Sequence, residues 1–78
     1  MRQKEERCVI TFHTTEASIA MEKAGREKGI PGRLIPVPQD LSAGCGFAWC
    51  SEPKWQEELI RLLDEKRIEY EAVVQRKV

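Results

Sequence analysis

The stretch RLIPVPQDLSAGCGFAWC, Arg33 to Cys50, decides the fold. Its first part, RLIPVP, is partly β-branched but is interrupted by Pro36 and Pro38. A proline has no N–H to give to a ladder, so this strand suits a sheet edge. In its last part, FAWC, Phe47 and Trp49 alternate with Ala48 and Cys50, as the two faces of a strand require. The turn-forming QDLSAGCG between them is too short for a crossover helix, and two strands joined that way form a hairpin.

Upstream, CVITF is rich in β-branched and aromatic residues and reads as a first strand. HTTEASIAMEKAGREKGI follows, with Thr14 or Thr15 as N-cap and Glu16 in the first turn. Ala17, Ala20, Met21 and Ala24 form a narrow stripe at helical spacing, and Gly29 is the stop. Downstream, SEPKWQEELIRLLDEKR offers Ser51 as N-cap, Pro53 in the first turn and Trp55, Leu59, Leu62 and Leu63 on one face. IEYEAVVQR closes the series as a fourth strand, with Tyr70, Ala72 and Val74 alternating with Glu71 and Val73.

The order β-α-β-β-α-β, with two right-handed crossovers and a central hairpin, predicts an α+β ferredoxin-like two-layer sandwich: a four-stranded antiparallel sheet with both helices on one face. Seventy-eight residues predict one domain, 1–78, with the charged residues 1–6 fraying at its end. Phe47 and Trp49, pointing away from the helices, would form an exposed aromatic pair suited to a homodimer interface; the alternative packs them under a helix.

Composition narrows the function. Hydrophobic residues at 41% and charged residues at 33% describe a globular chain rather than a disordered one. Thirteen basic against 13 acidic residues give zero net charge, so no long-range field favours nucleic acid or an anionic membrane. The RQKEER run after Met1 is unlike a signal peptide and no apolar run could span a membrane, so the expected location is the cytoplasm. There, structural disulfides are rare, and each of the three cysteines needs another reason to be present.

Cys45 lies between Gly44 and Gly46, which permit positive φ and let consecutive backbone N–H groups turn inward as an anion-binding nest. Such a nest favours the thiolate, the form that attacks a sulfur or selenium donor, and Ser42 adds a hydroxyl donor nearby. Cys8 reads as a small buried hydrophobe. Cys45 and Cys50 stand as C-x4-C, which is not the spacing of a redox pair or a zinc knuckle. His13 and Cys50 are secondary candidates. Taking the first and third strands as parallel puts both at one end of the sheet and Cys45 at the other, so that His13 would not serve Cys45. Two soft ligands fall short of the four a structural zinc needs, and no metal site is expected.

LIPVPQDLSAGCGFA, preceded by FHTTEASIAME, resembles the selenium/sulfur carrier-like family of small bacterial proteins. The resemblance runs from about Cys8 to Tyr70 and is sharpest from Pro36 to Ala48. It implies that Cys45 is the carrier thiol, with Ser42, Gly44 and Gly46 shaping its loop. It further implies donor and acceptor proteins as partners, and no cofactor beyond a persulfide or selenosulfide on Cys45. Gln39 and Asp40 stand where many members place a basic residue, and Cys50 is an addition. Such a chain is a group carrier more than a stand-alone enzyme. The alternatives are a non-catalytic binding or regulatory module, in which Cys45 is structural or redox-sensing, and a soft-metal carrier.

Overall fold

The structure, a computed structural model, describes residues 5–38, 41 and 46–77. Strand β1 spans Glu6–Thr11, helix α1 Thr15–Lys28, β2 Arg33–Pro36, β3 Phe47–Ser51, helix α2 Gln56–Glu65 and β4 Ala72–Lys77. A 3-10 turn over Pro53–Trp55 leads into α2. The sheet order is β2-β3-β1-β4 and every neighbouring pair is antiparallel. This is the ferredoxin-like arrangement, and β1 reaches back to Glu6, inside the segment expected to fray.

One face of the sheet carries the core. Cys8, Ile10 and Phe12 of the β1 segment and Trp49 of β3 meet Met21 and Ala24 of α1 and Leu59, Leu62 and Leu63 of α2 in a single cluster. The α1 stripe is rotated from the expected one: Ser18, Met21, Ala24 and Gly25 are buried, while Ala17 and Ala20 are half-buried. Thr14 is the N-cap, its hydroxyl accepting from the Ala17 N–H at 3.2 Å. At the other end Gly29 turns left-handed at φ 73, and the Ile30 N–H donates to the Gly25 carbonyl at 2.9 Å. This closure seats Ile30 in the core at the helix exit.

Trp49 explains why the helix rotates. It does not join Phe47 on an exposed aromatic surface: it is 2% exposed and packs under the helices, while Phe47, at the strand's first position, is 46% exposed. The aromatic pair that suggested a homodimer face is therefore absent. The indole lies against Gly25 and Gly32, where an added Cβ would come within 3.1 Å and 2.4 Å of ring atoms. Gly32→Ala must push the ring or the backbone aside, and overpacking of this kind costs about 1–3 kcal/mol. A melting temperature lower than wild type by roughly 10 °C is the expected result in a thermal melt. An unchanged value would mean that the ring is not wedged there.

Two further boundaries differ from expectation. Ser51 does not cap α2: it is the buried last residue of β3, and its hydroxyl donates to the Pro31 carbonyl at 2.6 Å. The helix enters through the 3-10 turn with no side-chain cap. β4 begins at Ala72, leaving Tyr70 40% exposed in the approach, and Val73 is the residue that packs on the core. Among the described residues no helix is long and apolar enough to cross a membrane.

Candidate functional site

The hairpin places its loop. Pro36 pairs with Phe47 as the last rung of the β2–β3 ladder, and beyond it the Val37 N–H donates to the Gly46 carbonyl at 3.1 Å. Gly46 sits at φ 79, a left-handed backbone that glycine adopts freely and other residues do so only under strain. The positive φ expected beside Cys45 is thus present at Gly46. Ser42, Gly44 and Cys45 lie outside the described residues, as do Gln39 and Asp40.

β1 and β3 are antiparallel, not parallel: Cys8 pairs with Ser51 and Thr11 with Ala48. The C-terminal end of β1 therefore meets the N-terminal end of β3, the end from which the Cys45 loop departs. His13, just past β1, stands at that end and not with Cys50. Cys50 is paired with Val9 and with Arg33, further down the sheet. The hairpin causes this reversal: β2 runs parallel to β1 across the intervening β3, so β3 must run against both.

His13 is more than half exposed, and its Nδ1 lies 3.5 Å from Oε1 of Glu71, whose side chain keeps about a third of its surface exposed. Glu71 is fixed at the entry to β4, where its backbone N–H donates to the Thr11 carbonyl at 2.7 Å. An exposed pair of this kind adds about 0–1 kcal/mol to stability, so its geometry matters more than its energy. Glu71 was not singled out from the sequence. Its signal was the antiparallel pairing of β4 with β1, which brings the residue before Ala72 beside the residues after Thr11.

The two described thiols are free and buried. Cys8 has no solvent exposure, and burial, with a smaller push from Cys50, raises its pKa from 9.0 to about 11. Cys50 is also raised by burial, against the pull of Arg7 and Arg33, which flank it on the sheet. Both are therefore held as neutral thiols at physiological pH and are poor nucleophiles. Among the described residues no group of three or more His, Cys, Asp or Glu side chains is placed to hold a metal ion.

The described residues form a two-layer α+β fold that buries the thiols of Cys8 and Cys50. The family model described as "Putative Se/S carrier protein-like" matches residues 7–75, and the chain belongs to that family. No curated protein and no solved structure matches it.

Proposed function

We propose that this chain carries sulfur or selenium covalently on Cys45, taking it from a donor protein and passing it to an acceptor, in the cytoplasm. The observation that carries this reading is the family match across residues 7–75, which spans the Gly-Cys-Gly loop. The burial of Cys8 and Cys50 supports it, because it holds both as neutral thiols and poor nucleophiles. For sulfur, the Cys45 thiolate attacks the terminal sulfur of a donor persulfide. A new S–S bond forms on Cys45, the donor S–S bond breaks, and the electron pair leaves on the donor thiolate. Delivery to the acceptor repeats the exchange in the other direction. Ser42, Gly44 and Gly46 shape the loop.

The test is intact mass spectrometry without reductant, after incubation with a cysteine desulfurase and cysteine. Wild type is expected to gain about 32 Da, removable by reductant, and Cys45→Ser to stay at its own mass. No adduct on wild type, or one that survives the substitution, would overturn the carrier reading.

A further inference from the structure

We infer that β4 is the docking edge for a second copy of this chain: two β4 strands pair antiparallel about a twofold axis at Val74 and join two sheets into one. The inference is independent of the carrier reading and uses none of its residues.

The two edges of the sheet are built differently. β2 and β4 are its outer strands. β2 has four residues, with Pro36 inside it and Pro31 and Pro38 just outside its ends, so it offers few N–H groups to a new strand. β4 has six residues with no proline or glycine among them, and its Val73 and Val74 are β-branched residues that favour a strand. Its inner side is paired with β1 from Glu6 to Thr11, and among the described residues no strand lies on its outer side. Alternate residues of such an edge turn N–H and C=O outward, and an added strand supplies their partners.

Charge selects the occupant and its direction. The segment EYEAVVQRK, 69–77, is acidic at its start, apolar in the middle and basic at its end. An antiparallel copy sets the basic end of each strand beside the acidic end of the other. With the axis at Val74, Glu71 faces Lys77 of the partner subunit, and the twofold makes that contact twice. Glu71 holds Oε1 3.5 Å from His13, which leaves Oε2 for the lysine. Lys77 is exposed and makes no ion pair among the described residues. Val73 packs on the core, so Val74 points to the face away from the helices, where it is half-buried and meets its own copy at the axis. A parallel arrangement would set Glu71 against Glu71 and Lys77 against Lys77. The pairing also closes on itself, because each β4 edge is used once. The β2–β3 hairpin lies at the far edge of the sheet and stays clear of the contact.

Sedimentation velocity of the full chain over a concentration series tests this, with circular dichroism confirming that each variant is folded. Wild type is expected to run as a reversible dimer. Lys77→Glu and Glu71→Lys each set like charges opposite one another twice, and each is expected to weaken the dimer about 10-fold or more. The double variant Glu71→Lys/Lys77→Glu restores opposite charges and is expected to return within about 3-fold of wild type, a recovery that a merely structural role for either residue would not produce. Val74→Lys places two cations at the axis and is expected to be monomeric. Amide hydrogen exchange in β4 is the second readout: protection should rise with protein concentration in wild type and not in Val74→Lys. A wild-type chain that stays monomeric up to about 1 mM overturns the pairing, whatever other strand the edge accepts. A dimer indifferent to both charge reversals, or one that the double variant fails to restore, overturns it as well.

Discussion

Phe12→Ala is expected to leave little folded protein at 37 °C. Phe12 has no solvent exposure, leads the fully buried side chains in size and sits in the cluster shared by both helices and the sheet. Removing a buried phenylalanine costs about 3–5 kcal/mol, from the lost transfer energy and from the cavity left behind. A chain of this length has a total stability of only about 4–12 kcal/mol, so the substitution removes about a quarter of it at the least. Thermal and urea unfolding followed by circular dichroism should show a midpoint lower by roughly 20 °C or more. Ile19→Ala, on the exposed side of α1, is the control and should stay within about 0.5 kcal/mol of wild type. Equal effects from the two would mean that Phe12 is not the centre of the core.

Cys8 produces the second large effect, and it depends on pH. Its thiol is raised from 9.0 to about 11 by burial, so the folded chain keeps this proton where the unfolded chain gives it up. The stabilisation is fully present below pH 9 and is lost as pH rises through about 11, since ionisation then favours the unfolded state. Two pH units correspond to about 3 kcal/mol. Urea unfolding between pH 8 and 11 should show wild type losing stability more steeply than Cys8→Ala. Tyrosine and lysine titrate in the same window, so the difference between the two slopes is the quantity to read. At pH 8 the variant should begin lower, because it has lost packing, and the two curves should converge as pH rises. Parallel curves would show that Cys8 ionises as freely in the fold as outside it. The same shift means a thiolate population about 100-fold below that of an ordinary cysteine, which keeps Cys8 out of competition with the loop.

Most of the architecture was legible because it depends on local chemistry. β-Branched and aromatic content marked β1 and period-two alternation β3, the Thr14 cap and the Gly29 stop bounded α1, and Leu59, Leu62 and Leu63 declared the buried side of α2. What failed was of another kind. Alternation shows that Phe47 and Trp49 share a face with each other but not which face, and the answer lay in two distant glycines that make room for the indole. Ser51 has a capping side chain, yet the strand continued through it and its hydroxyl was taken by Pro31. Strand direction follows from counting reversals, and treating β1 and β3 as parallel sent His13 to the wrong end of the sheet. Gly46 was read correctly as a position of positive φ, because the conformational freedom of glycine is a property of the residue alone. Cys45 stood out through its neighbours and its family resemblance, whereas Glu71 could emerge only once β4 was set beside β1.

The order β2-β3-β1-β4 also bears on how the chain is made. β1 leaves the ribosome before the other three strands, and its neighbours lie at residues 47–51 and 72–77, so neither of its edges can be covered by them while α1 is being synthesised. Pairings this far apart in sequence carry a large loop-closure cost and slow the search for the native state. At about 5–20 residues per second, a ribosome takes several seconds to go from residue 11 to residue 72. For that interval a nascent strand of Cys8, Val9 and Ile10, apolar on both faces, keeps at least one bare hydrogen-bonding edge and a thiol not yet shielded from oxidants.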